Sequence, residues 1–170
     1  MINKLHHYSQ INAYQFVTFR TLASVDDYLL KINESTLNES SKQLQIDNYL
    51  DKSDKGRVLN SEVIRIVLDY CKTLETEYYN LICISVMPNH IHMLFKQNQN
   101  MPKIVQKLKG GLSFLINKHL NQKGKLWDEN YFDKAIRDER HFQVTYDYIK
   151  NNAVKAGLAD AKIRFYGVFE

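Results

Sequence analysis

The chain has 170 residues, of which 44% are apolar and 25% are charged, and its formal net charge is +4. This length suits one domain with a proper core and is short for two, so residues 1–170 are predicted to form a single domain. No apolar run approaches the roughly 18 residues of a membrane span, and residues 1–7 have no apolar segment of the signal-peptide type, so a cytoplasmic location is expected. Cys71 and Cys83 lie in apolar segments without disulfide-type spacing, and we expect buried free thiols.

The charge is unevenly distributed along the chain. Residues 1–99 carry 10 positive and 11 negative groups, whereas residues 100–170 carry 13 and 8. An excess of this size is common on ordinary solvated surfaces, and it also suits a polyanionic partner.

The first part of the chain predicts a strand followed by a polar helical segment. Residues 13–20 are rich in aromatic and β-branched types and predict a first strand. Residues 23–59 are rich in Ser, Asn, Asp and Lys, and their apolar residues are spaced for two short amphipathic helices, with a turn at residues 54–56. We interpret residues 23–59 as an insertion between core elements.

The middle of the chain predicts a helix and a β-hairpin. Ser61 precedes an apolar series with helical spacing, which predicts a capped helix that runs to about Glu77. Residues 80–87 predict a buried strand, and residues 90–96 predict the next strand after a proline-containing turn.

The last part predicts a helix, a strand and a final helix. Pro102 suits the first turn of a helix, and Gly110-Gly111 interrupts that helix, so we expect a kink or a close approach of another group there. Residues 126–137 predict a last strand, and residues 139–156 predict a helix that a glycine ends.

The order β, α, β, β, α, β, α predicts an α+β fold. Its core is a ferredoxin-like βαββαβ unit with an antiparallel sheet, to which a C-terminal helix and the helical insertion after the first strand are added. Residues 164–169 are expected to pack back on the core.

A pair of histidines opens the second arm of the predicted hairpin. Side chains alternate between the faces of a strand, so His90 and His92 project together while Ile91 points the other way. Two imidazoles at this spacing can bind one metal ion. The alternative is an ordinary polar strand face.

The final helix carries a phenol and an amide on one face. Tyr148 and Asn152 are four residues apart and are therefore neighbours on the helix surface, whereas Tyr146 points some 200° away from Tyr148. A tyrosine nucleophile beside a metal ion is suited to cleaving a phosphodiester. An imidazole and amide-oxygen site with open positions suits Mg²⁺ or Mn²⁺ better than a closed zinc site does.

Several segments resemble one family. Residues 87–92, Met-Pro-Asn-His-Ile-His, resemble the HUH signature (His, bulky hydrophobic, His) of the IS200-type single-tyrosine transposases, and more closely that of the REP-associated tyrosine transposases. The final helix of that family typically reads Tyr-Ile-x-x-Asn-Pro-Val-Lys-Ala-Gly-Leu, and residues 148–158 match it except that Ala153 replaces the proline. Since proline ends or bends a helix, we expect this change to affect the position of Asn152. Other segments that follow the family order are Val17-Thr18-Phe19-Arg20, Tyr49-Leu50-Asp51, Leu108-Lys109-Gly110, Leu126-Trp127, Tyr131-Phe132-Asp133 and Ile136-Arg137-Asp138.

The resemblance covers nearly the whole chain and implies both a fold and an activity. It implies an HUH fold in which His90 and His92 bind a divalent metal ion, Mg²⁺ or Mn²⁺, and Asn152 is a third ligand. It selects Tyr148 rather than Tyr146 as the nucleophile. The implied protein is a transposase, a metal-dependent endonuclease and strand transferase that forms a 5′-phosphotyrosine on single-stranded hairpin DNA.

Two other functions remain open from the sequence: a non-catalytic nucleic-acid-binding protein on the same fold, and a metal-dependent hydrolase in which water attacks. The chain is expected to be a monomer or homodimer without a membrane partner. Asn130, Tyr131 and Trp127 are candidates for contacts with unpaired bases, although Trp127 also suits the core. Candidate contacts to DNA phosphates are Lys103, Lys107, Lys109, Lys118, Arg137, Arg140, Lys150 and Lys155.

Overall fold

The computed structural model describes residues 9–170. The expectation of no signal peptide concerns residues 1–7, which lie outside the described residues. Within these described residues, five strands form one sheet and six α-helices pack around it. The strands are β1 (Tyr14–Arg20), β2 (Tyr79–Val86), β3 (His90–Gln97), β4 (Phe132–Ala135) and β5 (Phe165–Gly167). The helices are α1 (Asp27–Glu34), α2 (Glu39–Lys52), α3 (Glu62–Thr73), α4 (Met101–His119), α5 (Glu139–Lys155) and α6 (Ala161–Arg164).

The sheet has the predicted antiparallel ferredoxin-like topology. Its strand order is β4-β1-β3-β2-β5, and each neighbouring pair is antiparallel. The elements β1, α3, β2, β3, α4 and β4 form the βαββαβ unit, so the predicted α+β class is confirmed. The tail supplies a fifth strand that was not predicted, and β5 extends the sheet beside β2.

Alternation along the central strand β3 separates two apolar regions. Ile91, Met93 and Phe95 belong to the main core, which lies between the sheet and helices α3 and α4. Leu94 belongs to a smaller cluster with Ile149 of α5 on the opposite face. Because side chains alternate, the two even-numbered histidines of β3 face α5.

Helices α1 and α2 confirm the two short helices predicted within residues 23–59. Asp26 and Asn38 cap their first turns through hydrogen bonds to backbone N–H groups. The two helices share an apolar cluster of their own. Helix α2 reaches β4, where Lys134 Nζ donates a 2.8 Å hydrogen bond to Ser40 Oγ, and it therefore covers the α5 face of the sheet.

Two predicted boundaries are wrong. Helix α3 ends at Thr73, not near Glu77, because the chain turns with a positive φ of 69° at Thr76 before entering β2. Ser61 precedes this helix but its side chain makes no capping hydrogen bond. Strand β4 has only four residues instead of the predicted 126–137, because Trp127 is held in the core at the start of that segment.

The glycine pair in α4 marks a close approach rather than a break. Helix α4 continues through both glycines. A Cβ atom at Gly111 would overlap the ring of Tyr70, whose hydroxyl donates a 2.9 Å hydrogen bond to the carbonyl of Lys107. The missing side chain therefore lets α3 pack tightly against α4.

Two further sequence expectations concern the cysteines and the membrane. Cys71 and Cys83 are free thiols inside the two apolar clusters, as predicted. Within residues 9–170, none of the helices is both long and apolar enough to cross a lipid bilayer.

Candidate active site

The histidine pair is fully buried at the start of β3. The ring centroids of His90 and His92 are 4.8 Å apart. A second group orients each ring: His92 Nδ1 lies 2.7 Å from Thr18 Oγ1 and His90 Nδ1 lies 2.7 Å from Asn89 Oδ1. The Nε2 atoms of both rings have no hydrogen-bond partner. Such hydrogen bonds at one nitrogen fix a ring while the other nitrogen stays available to a metal ion.

The hydrogen bonds of Asn89 define the tautomer of His90. Asn89 Nδ2 donates to the carbonyls of Leu50 and Lys55, so its Oδ1 must accept the proton of His90 Nδ1. The His90 Nε2 atom consequently carries a lone pair. Burial lowers the pKa of His90 well below its usual range and that of His92 to about 3, so both rings are neutral at physiological pH, as metal binding requires.

Helix α2 brings two carboxyl groups to the histidines. Asp47 and Asp51 are four residues apart and share one face of the helix. Asp47 Oδ2 lies 4.0 Å from His92 Nε2, and Asp51 Oδ1 lies 3.7 Å from His90 Nε2. One ligand atom from each of Asp47, His90 and His92 lies within 4.8 Å of the others. Burial raises the pKa of Asp47 to about 7 and that of Asp51 to about 6.

Helix α5 places Tyr148 against the same group. Its hydroxyl donates a 2.5 Å hydrogen bond to Asp47 Oδ2, and Gln43 Nε2 donates to the other oxygen of that carboxyl group at 2.6 Å. The rings of Tyr148 and His92 are 5.5 Å apart. Burial raises the pKa of the Tyr148 phenol, and a hydrogen bond from Asn152 opposes this rise.

The competing tyrosine faces another part of the molecule. Tyr146 packs against Phe165, and its hydroxyl donates a 3.1 Å hydrogen bond to Glu170. Of these two tyrosines, only Tyr148 contacts Asp47 and His92.

Asn152 lies one turn beyond Tyr148 on the same face of α5. Helix α5 continues to Lys155, so Ala153 does not bend it next to Asn152. The Asn152 Oδ1 atom is buried and has no hydrogen-bond partner.

Four buried atoms at this site have no hydrogen-bond partner: Nε2 of His90 and of His92, Oδ1 of Asp51 and Oδ1 of Asn152. Leaving such atoms unpaired costs about 1–3 kcal/mol each, and all four can accept a cation. Their mixture of imidazole nitrogen and oxygen matches the ligands of divalent metals such as Mn²⁺. The residues at the site therefore fit a divalent cation.

Most predicted phosphate contacts on α4 lie away from this site. Helix α4 packs on the opposite face of the sheet from the histidines. The amine of Lys109 donates hydrogen bonds to the three carbonyls of residues 128–130, and burial lowers its pKa to about 8. Its role in the structure is to hold that loop. Lys103 and Lys107 lie about 6 Å from the ring centre of Tyr78.

The predicted contacts near α5 have different surroundings. Lys150 forms a 2.8 Å ion pair with Glu170. Lys155 is close enough to Asp51 to lower the pKa of that carboxyl group against the effect of burial. Arg137 lines a groove that reaches Tyr148, and Arg140 is exposed in the first turn of α5.

Of the three residues predicted to contact unpaired bases, two pack in or against the core and one is exposed. Trp127 is buried and its ring packs 4.9 Å from that of Phe19, so it is a core residue. Tyr131 packs against the same core while Asn130 is exposed.

The acidic pair of α2 was missed from the sequence. Asp51 belongs to the segment Tyr49-Leu50-Asp51, which resembles the family, and Asp47 precedes it by one helical turn. The four-residue spacing predicts that the two carboxyl groups share one face of a helix. It does not reveal that the insertion folds over the histidines.

A ferredoxin-like antiparallel sheet with a buried His-Ile-His pair, facing a tyrosine on a C-terminal helix, defines the HUH class of single-tyrosine proteins. The sequence profile described as "Transposase IS200 like" matches residues 43–152. The chain belongs to this IS200-like transposase family.

The proteins to which the chain is similar include two solved structures and one curated protein. A REP-associated tyrosine transposase bound to a REP hairpin is 13% identical, with a TM-score of 0.61 over 92% of this chain and 75% of that one. A candidate transposase of Deinococcus radiodurans is 19% identical, with a TM-score of 0.50 over 89% and 97% of the two chains. At these identities the likeness concerns the fold. An uncharacterized protein of Haemophilus influenzae is 25% identical over an alignment of 93 residues. The alignment covers 41% of this chain, and the chain spans about half (51%) of that protein's length.

Proposed function

We propose that this protein is a metal-dependent transposase that cuts and rejoins single-stranded DNA, with Tyr148 as its nucleophile. One observation carries the proposal: the Tyr148 hydroxyl, hydrogen-bonded to Asp47, lies beside two imidazoles whose Nε2 atoms are unpaired. Membership of the IS200-like family supports it.

His90 and His92 would hold the metal ion, with Asn152 as the third ligand and Asp47 as a further oxygen donor. The proposed ion is Mg²⁺ or Mn²⁺, because both accept oxygen together with imidazole ligands. Bound there, the ion would polarise the scissile phosphate and offset the charge that develops on it.

Tyr148 carries the bond-making step. Its oxygen attacks the phosphorus, so a bond from Tyr148 Oη to phosphorus forms and the bond from phosphorus to the 3′ oxygen breaks. Asp47 Oδ2, which already accepts the phenol's hydrogen bond, is placed to take the phenolic proton. The 3′ oxygen leaves as a hydroxyl with a proton from solvent. The DNA then remains on Tyr148 as a 5′-phosphotyrosine ester, and a 3′ hydroxyl can attack that ester to rejoin the strand without a nucleotide cofactor.

The proposed DNA partner is single-stranded DNA with an imperfect hairpin. The similar REP-associated tyrosine transposase is bound to a REP hairpin, which supports this choice. Tyr148 and the two histidines meet within one chain, so the proposed site is self-contained in a monomer or in each subunit of a homodimer.

A covalent-trapping experiment tests the proposal. The protein is incubated with fluorescent single-stranded hairpin DNA and Mn²⁺, and the products are separated on an SDS gel. We expect an SDS-stable protein–DNA adduct that EDTA prevents and that a fully duplex DNA does not form. Free 5′-phosphate product without an adduct would instead indicate attack by water. DNA binding that EDTA does not change, without cleavage, would indicate a binding protein.

Asp47→Asn is expected to slow adduct formation by about a hundredfold. The amide keeps the size of the carboxyl group and a hydrogen-bond acceptor for Tyr148, but it cannot take up the phenolic proton and is a weaker metal ligand. Single-turnover adduct formation in Mn²⁺ measures the effect. The matched control is Asp54→Asn, because Asp54 is exposed on the loop after α2. Equal rates for the two variants would show that Asp47 takes no part in the reaction.

A further inference from the structure

Two openings flank helix α2, and only one of them reaches the nucleophile. A cleft of about 420 Å³ lies between α1, α2, β1 and residues 130–132. A groove of about 310 Å³ lies between α2, β4 and α5, and both Tyr148 and Asp47 line it. A DNA strand whose phosphate sits at Tyr148 must leave the site through an opening that this residue lines, so the smaller groove is the relevant one.

The charges of the two openings support the same choice. The larger cleft is lined by Glu34 and Glu39, and both of its cations are already paired, Arg20 with Asp128 at 3.1 Å and Lys42 with Glu39 at 3.6 Å. Acidic side chains there would repel a phosphate. The acidic residue of the smaller groove is Asp47, which lies at its inner end. Both oxygens of this carboxyl group already accept hydrogen bonds, from Gln43 and Tyr148.

Cationic and donor groups line the outer part of the smaller groove. Lys134, Arg137 and His141 all lie on its wall. The Lys134 amine donates a hydrogen bond to the hydroxyl of Ser40. This hydroxyl is neutral, so it does not cancel the positive charge of the lysine. The backbone N–H of Arg137 donates to His141 Nδ1 at 3.1 Å, so His141 Nε2 carries a proton and is a donor.

An apolar and aromatic surface lies beside these groups. Phe16 and Phe132 form part of the groove wall, with their rings edge to face at 5.9 Å. Leu44 and Val144 also line it and are 50% and 60% exposed. Phe16 is buried and Phe132 is half-buried, so Phe132 is the ring that a base can contact. Basic groups next to an accessible ring and exposed apolar side chains suit single-stranded nucleic acid, because they match its phosphates and its unstacked bases.

We propose that this groove binds the unpaired nucleotide next to the scissile phosphate, with Lys134 and Arg137 on its phosphate and Phe132 and Val144 against its base. The proposal rests on the proposed function for the identity of the DNA. The volume is at the lower end of small-ligand pockets, which suits one nucleotide and excludes a duplex. The groove therefore gives the protein a physical reason to prefer single strands.

A pair of matched valine variants tests the proposal. Val144 and Val154 are both exposed on α5, at 60% and 67%, but only Val144 lines the groove. Binding of a fluorescein-labelled oligothymidine of about a dozen nucleotides is measured by anisotropy in EDTA, so that cleavage does not intervene. Val144→Glu is expected to weaken binding roughly tenfold, because its carboxylate lies where the nucleotide would be. Val154→Glu, with the same change in charge, is expected to change binding less than about twofold.

A second measurement concerns the salt dependence of binding. Each lost phosphate contact to a single strand lowers the slope of log affinity against log salt by about 0.7, so Lys134→Ala with Arg137→Ala is expected to lower it by roughly 1.4. Lys123→Ala with Lys162→Ala, at two exposed positions outside the groove, is expected to leave the slope unchanged. Equal effects of the two double variants, or of the two valine variants, would overturn the groove proposal.

The binding assays test the groove and the covalent-trapping assay tests the proposed function, so either proposal can be refuted without the other. Loss of oligothymidine binding in Val144→Glu, together with no adduct from the unmodified protein, would refute the proposed function and leave the groove as a binding site. An adduct together with equal binding by the two valine variants would refute the groove and leave the proposed function.

Discussion

Tyr148→Phe is expected to abolish the SDS-stable adduct between the protein and single-stranded hairpin DNA. The substitution removes one oxygen atom, which is the atom proposed to attack the phosphorus. The remaining phenyl ring would still pack against Phe16 and His92, as the tyrosine ring does at 6.0 Å and 5.5 Å between centroids. We expect a loss of at least about a thousandfold in single-turnover adduct formation.

Tyr146→Phe is the matched control for this experiment. It removes the same atom from the same helix, two residues away, but the Tyr146 hydroxyl contacts Glu170 rather than the histidine pair. Adduct formation should stay within about threefold of the unmodified protein. An adduct that persists in Tyr148→Phe and disappears in Tyr146→Phe would reassign the nucleophile. An adduct in both would exclude each phenol.

His90→Ala and His92→Ala are each expected to weaken Mn²⁺ binding by roughly a hundredfold or more. Each change removes an imidazole whose buried Nε2 atom has no hydrogen-bond partner, and alanine offers no atom that can bind a metal ion in its place. Isothermal titration of the DNA-free protein with Mn²⁺ measures the affinity directly. The same ion should raise the melting temperature of the unmodified protein and leave that of the two variants nearly unchanged.

His119→Ala is the control for the metal measurement. His119 is exposed at the end of α4, on the other face of the sheet, so its removal should not alter Mn²⁺ affinity. Circular dichroism of both site variants would show whether they remain folded without the imidazole. Mn²⁺ affinity that is equal in His92→Ala and His119→Ala would exclude His92 as a ligand, and the same comparison applies to His90.

The sheet and most of its helices were predictable because local patterns specify them. Alternation around His90 and His92 predicted which side chains share a face, and strand β3 confirms it with a ring separation of 4.8 Å. The four-residue spacing of Tyr148 and Asn152 likewise predicted one helix face. The boundaries that were wrong, at the end of α3 and in β4, depend on a positive φ at Thr76 and on the burial of Trp127, which local propensity does not report.

The acidic residues of α2 make contacts that local sequence patterns do not predict. Asp47 and Asp51 lie in a polar segment that the sequence predicted as two helices within an insertion, and nothing in their spacing relates them to residues about 40 and 100 positions away. In the structure Asp47 contacts both His92 and Tyr148. Contacts of this kind depend on how α2 packs over the sheet, and that packing is decided by apolar surfaces from several distant segments.

The sequence by itself determined the βαββαβ order, the shared face of the two histidines and the shared face of Tyr148 and Asn152, because each follows from a repeat of two or 3.6 residues along one element. Only the tertiary structure decided that α5 and α2 meet over β3, that the phenol donates to Asp47, and that a groove leads from this point to solvent. The reason is that burial, pairing and side-chain access are properties of several elements in contact, and no single element encodes them.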